Sequence, residues 1–280
     1  PCFSPTGVES NKRTLLVQPT NETVIVVIAT YNEAPSIGVL LDDMRSYQVI
    51  VVDDSSPDGT GELAGTFDHV QLISRPRRLG IASAYFEGFA SALRRNPIYV
   101  VQMDAGMTHK PKDISRLIEK AETTGSDLVI GSRFGNVQFL GYRTLLSRGA
   151  TVLMRLLGIR VNDATSGFRC WKATHLKLLD RTKIQADGFA FQLETLFYTH
   201  RMGGRIGEVP IEYLLTNSSL AAGILLEATR SYWNLFLTTL SHRLLFMLRE
   251  TSRRPTSSSS RGVSAKSSQL NSKHGVSHDN

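Results

Sequence analysis

From Val24 onward, short runs of β-branched and other apolar residues alternate with longer stretches in which apolar positions recur every three or four residues. The first pattern predicts strands and the second amphipathic helices. Strands are expected at Val24–Thr30, Gln48–Asp53, Val70–Ser74, Ile98–Met103 and Asp127–Gly131, with helices between them at Ser36–Ser46, Thr60–Thr66, Ala82–Arg95 and Lys112–Thr124. A run such as Val24-Ile25-Val26-Val27-Ile28 has no polar alternation, so it is expected to be buried on both faces, as parallel strands under helices are. The alternation implies an α/β fold of nucleotide-binding type, with a mainly parallel sheet flanked by helices.

After Gly131 the alternation weakens. A helix is expected at Leu145–Leu157, a loop at Asp163–Arg169, a helix at Phe189–His200 and a strand at Arg205–Tyr213. Residues 223–250 read as amphipathic helices, and Thr251–Asn280, with four consecutive serines and almost no large apolar residue, cannot repay its ordering entropy. The domain plan is therefore an extension at 1–22, a folded domain at 23–222, an amphipathic segment at 223–250 and a disordered Ser-rich basic tail at 251–280.

Composition narrows the class. With 41% hydrophobic and 20% charged residues among 280, the chain is neither wholly disordered nor collagen-like. The net charge of +7 is concentrated in the tail, where Arg253, Arg254, Arg261, Lys266 and Lys273 face one acid, Asp279. The body is close to neutral, which argues against nucleic acid as a partner. Cys2 and Cys170 make no disulfide framework and no metal-binding pair, so a reducing compartment is expected. The stretch from Tyr232 to Leu248 is interrupted by Asn234, Thr238, Thr239, Ser241, His242 and Arg243 and does not read as a membrane span.

In an open parallel sheet, ligands sit beyond the carboxyl ends of the strands. Three polar clusters fall there: Thr30-Tyr31-Asn32-Glu33, Asp53-Asp54-Ser55-Ser56-Pro57-Asp58-Gly59-Thr60 and Asp104-Ala105-Gly106-Met107-Thr108-His109. Carboxylates at strand ends suit ribose hydroxyls and a divalent cation on a diphosphate. There is no G-x-G-x-x-G and no P-loop, so the chain has no glycine cradle for phosphate. For Asp58 a helix-capping role competes evenly with ligand binding.

These clusters, together with Arg75-Pro76-Arg77-Arg78-Leu79-Gly80-Ile81-Ala82, Gly131-Ser132-Arg133-Phe134 and Asp163-Ala164-Thr165-Ser166-Gly167-Phe168-Arg169, resemble in order the inverting family-two glycosyltransferases. Within that family they are most similar to polyprenyl-phosphate (dolichyl-phosphate) mannose synthases. The resemblance spans about Val24 to Tyr213. It implies a GT-A fold, with a Rossmann-like half holding a nucleotide sugar, a divalent cation (Mg or Mn) near the diphosphate, and a polyprenyl phosphate acceptor. It further implies that Thr30, Tyr31, Glu33, Asp53, Asp54 and Arg78 contact the nucleotide, and that Asp104 and Thr108 hold the metal. Arg133 and Arg148 would face phosphate oxygens, while Asp163, Gln192 and Glu194 would line the sugar and acceptor pocket. A cytoplasmic location with peripheral membrane contact follows from such an acceptor, with Trp233, Phe236 and Leu244 beside Arg230 and Arg243 as the candidate contact.

Two departures stand out. The family writes Asp-x-Asp at the metal site, whereas this chain has Asp104-Ala105-Gly106. Where the family places phosphate-gripping cations after Glu212-Tyr213, this chain reads Leu214-Leu215-Thr216-Asn217-Ser218-Ser219. The expected activity is hexosyl transfer, foremost mannose from GDP-mannose to polyprenyl phosphate. A UDP-glucose or other donor, and a catalytically impaired nucleotide-binding homologue, remain as rivals.

Overall fold

The computed structural model describes residues 23–135, 142–213 and 229–237. The chain divides into two compact units, Pro1–Thr239 and Leu240–Asn280, and every described residue lies in the first. The expectations for 1–22, for 214–222, for most of 223–250 and for the 251–280 tail fall outside the described residues.

The elements follow the expected alternation: β1 Val24–Thr30, α1 Ala34–Asp42, β2 Gln48–Asp53, α2 Thr60–Ala64, β3 Val70–Ser74, α3 Ile81–Leu93, β4 Tyr99–Asp104, α4 Asp113–Thr124, β5 Leu128–Ser132, α5 Tyr142–Leu156, β6 Arg169–Lys172, α6 Ala173–Leu176, α7 Phe191–Arg201 and β7 Ile206–Pro210. A further helical stretch covers 229–237. The sheet has seven strands in the order β3-β2-β1-β4-β6-β5-β7. All neighbours pair in parallel except β6, which runs antiparallel to both β4 and β5.

Alternate residues of β1 explain the layering. Ile25 and Val27 join the core under α3 and α7, while Val24, Val26 and Ile28 join the core under α1 and α4. Both faces are therefore dry, as the unbroken apolar run implies. On one face α3 lies so close to β1 that a Cβ on Gly88 would stand 2.3 Å from Val27 Cγ1, so only glycine permits this approach.

The strand β6 starts at the end of the loop expected at Asp163–Arg169, in a stretch where the sequence predicts no element. Its four residues, Arg169-Cys170-Trp171-Lys172, begin and end on a cation and carry too short a pattern to register. The expected strand at Arg205–Tyr213 is present but ends at Pro210. Tyr213 instead forms an isolated bridge with His109 and draws that end of the chain toward the β4 loop.

Candidate active site

Register places the three polar clusters side by side. Thr30 pairs with Asp53 across β1 and β2, and Ala29 pairs with Asp104 across β1 and β4. The loops that follow are tightly bent: Asn32, Ser55 and Met107 all have φ near +60°, a left-handed conformation that non-glycine residues rarely adopt and that concentrates at functional loops.

The loops after β1 and β2 are stapled together. Asn32 N–H donates to Ser56 Oγ, Glu33 N–H to Thr60 Oγ1, and Ala34 N–H to Asp58 Oδ2. Asp58 Oδ1 also accepts from Thr60 N–H and Thr60 Oγ1, so one carboxylate serves the first turns of both α1 and α2. These bonds, that with Thr60 Oγ1 foremost, hold the Asp58 carboxyl below its ordinary pKa. The capping role weighed for Asp58 is therefore present, and it extends to a second helix.

Asp53 is buried and accepts from Ser56 N–H and Ser56 Oγ. A Cβ on Gly61 would stand 3.0 Å from its Oδ2. Asp54 is buried as well. It accepts from Leu79 N–H and Gly80 N–H at 2.8 and 2.9 Å and pairs with the buried Arg75 at 3.1 Å, which fixes the β3–α3 loop. Above that loop the Arg78 guanidinium lies 4.1 Å from the centre of the Tyr31 ring, forming a flat cation–aromatic surface at the mouth of the cleft. Thr30 is buried, and its hydroxyl has no hydrogen-bond partner among the described residues.

Asp104 is in a different state. Its Oδ1 accepts from Tyr85 O–H, and its side chain remains one-third exposed at the strand end. Its Oδ2 lies 3.8 Å from Nδ1 of His109, a fully buried ring whose Nδ1 makes no hydrogen bond among the described residues. Burial pushes the His109 pKa down, against the pull of Asp104. Thr108 Oγ1 is also buried without a partner. Gly167, from the loop before β6, admits this carboxylate, since a Cβ there would stand 3.0 Å from Asp104 Oδ1.

His109 stacks on Phe168 with ring centres 5.0 Å apart and packs on Tyr213, whose ring is also covered by Arg133. Arg133 is not free. It makes a bidentate pair with Asp163, at 2.7 Å through both Nε and Nη2, and a third bond to Thr165 Oγ1. Burial opposes the charge of both partners, but the contact prevails, raising the Arg133 pKa and lowering that of Asp163. Arg148 is exposed and lies 5.7 Å from the Phe134 ring that Arg133 also borders. Glu194 is buried and accepts from Gln185 and Ala186 N–H, so it shapes the loop before α7, while the neighbouring Gln192 keeps Oε1 buried and unpartnered.

Sequence reasoning gave no role to Tyr85, His109, Arg75 or Glu208. Tyr85 lies mid-helix among apolar residues, and nothing in its surroundings signals a contact with Asp104. Glu208 accepts from Asn162 and Asp163 N–H and so holds Asp163 from beneath. Arg169, which closes the Asp163–Arg169 motif, is fully buried and donates to the Ser166 and Ala164 carbonyls and to Thr195 Oγ1; burial pulls its pKa down to about 9.

Among the described residues, no three His, Cys, Asp or Glu side chains are grouped to hold a metal by themselves. The oxygen donors Asp104 and Thr108 fit a hard cation that takes one or two protein ligands and completes its shell with phosphate oxygens, which is the habit of Mg²⁺ at diphosphates.

The profile of Glycosyl transferase family 2 matches residues 25–184. The undecaprenyl-phosphate mannosyltransferase of Micrococcus luteus is 37% identical over 221 residues, covering 73% of this chain and 90% of that protein. The polyprenol monophosphomannose synthase of Mycolicibacterium smegmatis is 35% identical over 211 residues, covering 70% and 79%. Among solved structures, the glucosyl-3-phosphoglycerate synthase of Mycobacterium tuberculosis, crystallised with Mn²⁺ and UDP-glucose, superposes with a TM-score of 0.59 at 22% identity over 78% of each chain. That likeness establishes the expected α/β, GT-A type of fold.

Proposed function

The chain belongs to glycosyl transferase family 2, and from that premise we propose that it carries mannose from GDP-mannose to a polyprenyl phosphate, with inversion at the anomeric carbon. The observation that carries this reading is the similarity to two polyprenyl-phosphate mannosyl enzymes at 35–37% identity over 70–73% of the chain.

A phosphate monoester loses its second proton near pH 6, so the acceptor is already a nucleophile at neutral pH and needs no strong base. One of its oxygens attacks the anomeric carbon from the face opposite the donor diphosphate. The bond from that carbon to the diphosphate oxygen breaks, and its electron pair leaves with the nucleoside diphosphate. The protein's task is to position both partners and to stabilise the charge that departs. A divalent cation, when bound, supplies part of that stabilisation. Asp104 and Thr108 would hold it; Tyr85 orients Asp104 by donating to Oδ1. The stack of Arg78 on Tyr31 offers a platform for the base, and the exposed Arg148 is a cation within reach of solvent-borne phosphate.

The acceptor implies contact with a membrane surface. No helix among the described residues is long and apolar enough to cross a membrane. The 229–237 helix supports surface contact: Ser231 and Leu235 face the core, while Trp233, Phe236 and Leu237 are exposed beside Arg230. Trp233→Ser with Phe236→Ser should reduce co-sedimentation with anionic vesicles, and unchanged sedimentation would remove the membrane reading.

The decisive experiment incubates the full chain with polyprenyl phosphate and labelled GDP-mannose or UDP-glucose, with Mg²⁺ or Mn²⁺. Labelled lipid from GDP-mannose is the expected result. Label from UDP-glucose alone reassigns the donor, and nucleotide binding with no labelled lipid points to a non-catalytic homologue.

A further inference from the structure

Residue 106 is a glycine for no local reason. Its φ lies outside the left-handed region, and a Cβ built on it would meet nothing closer than Glu33 Oε1 and Oε2, both at the ordinary contact distance of 3.6 Å. A side chain would therefore fit at 106, and it would point at a carboxylate that is already there. That carboxylate arrives from the β1–α1 loop, not from the end of β4. Glu33 is anchored at the start of α1, where its carbonyl accepts from Ser36 and Ile37 N–H and its own N–H donates to Thr60 Oγ1. Ser36 Oγ donates to Oε2 at 3.0 Å, which leaves Oε1 without a partner among the described residues.

We infer that Glu33 supplies the second carboxylate of the cation site beside Asp104, in the space that Gly106 leaves open. The inference rests on the glycosyltransferase reading above and reassigns Glu33 from nucleotide contact to metal ligand. Independent support comes from the loop that follows Asp104. Among the described residues His109 Nδ1 is buried without a hydrogen-bond partner, 3.8 Å from Asp104 Oδ2, and Thr108 Oγ1, one residue earlier in the same loop, is buried without a partner too. Both atoms keep hydrogen-bonding capacity for a group that enters next to Asp104.

The consequence is structural as well as chemical. An Asp-x-Asp pair draws both carboxylates from one loop, whereas Glu33 and Asp104 draw them from two, so ion binding ties the β1–α1 loop to the end of β4. One carboxylate brought from a distance replaces one lost locally.

Mn²⁺ binding to the full chain in the presence of GDP, followed by loss of the free-ion EPR signal, tests this without reliance on turnover. Glu33→Gln keeps the size of the side chain and its acceptor for Ser36, and it should weaken Mn²⁺ by about tenfold or more through loss of a charged ligand. Adding Gly106→Asp to E33Q should restore affinity to within a few-fold of the parent. E33Q binding as tightly as the parent, or a double variant as weak as E33Q while circular dichroism shows both folded, overturns the inference. If E33Q does not fold, G106D alone carries the test: a third carboxylate against Glu33 should tighten Mn²⁺, and unchanged affinity overturns the inference. Asp104→Asn separates the two levels. A parent chain that binds no Mn²⁺, or D104N binding as well as the parent, removes the cation site of the functional proposal, whereas loss in D104N with none in E33Q removes only the role of Glu33.

Discussion

After β2, the oxygens of Asp53, Asp54 and Asp58 accept bonds from Ser56, from Leu79 and Gly80 N–H, and from Thr60 and Ala34, so these three carboxylates hold loops in place. After β4, Asp104 has one oxygen on Tyr85 and the other facing a histidine with which it makes no hydrogen bond. The same residue type at neighbouring strand ends is thus occupied on one side of β1 and poised on the other. Asp163 belongs with the occupied group, closed onto Arg133 and onto the backbone held by Glu208. The contrast separates architecture from chemistry: a carboxylate with satisfied oxygens shapes the cleft, and one with capacity left over can act on what enters it.

Substitutions on either side should fall into two classes. Asp163→Asn has the largest expected effect on stability, because it leaves the Arg133 charge buried without its bidentate partner. A loss of about 3–5 kcal/mol is expected in denaturant titration. Asp163 has a lowered folded pKa, so its contribution is present above its unfolded pKa, about 3.9, and is lost as pH falls below that value. The stability gap between parent and D163N should therefore narrow in acid, and a gap constant from pH 7 to pH 3 would contradict the pairing.

Asp104→Ala should behave in the opposite sense. Sugar transfer should fall by about 10²–10³-fold, as when a transition-state stabiliser is removed, with the unfolding midpoint little changed. Full activity would place the poised group elsewhere. Asp58→Ala should lower the melting temperature by less than D163N does, through loss of the bond between the α1 and α2 starts, while Mn²⁺ affinity stays near the parent value.

The smallest effect concerns His109. Burial lowers its folded pKa against opposing pulls from Asp104, Asp163 and Asp113, with Arg133 adding to the lowering, so the unfolded chain takes up the proton first. Stability should decline as pH drops below about 6.5, and His109→Gln should flatten that slope in melts recorded from pH 7 to pH 5.

Much of the Rossmann-like half was legible in the chain because its signals are local. β1, β2 and β3 lie at the expected residues, since unbroken β-branched runs bounded by polar turns have few alternatives. Motif order located the cleft for the same reason. What remained hidden depended on distant partners. Tyr85 reaches Asp104 from the middle of an apolar helix, and Arg133, a natural phosphate ligand by residue type, is drawn to Asp163 thirty positions away. β6 pairs only because β4 and β5 leave room for an antiparallel insertion.

By itself the sequence determined the alternation of strands and helices, the two-sided burial of the sheet and the gathering of acids at its carboxyl edge, because each depends on spacing and residue type within a few positions. Only the tertiary structure decided which of those acids are satisfied and which are left poised. That choice depends on donors brought from elsewhere in the chain, and it is the packing of α3 on β1, the entry of Gly167 and the arrival of Glu33 opposite Gly106 that settle it.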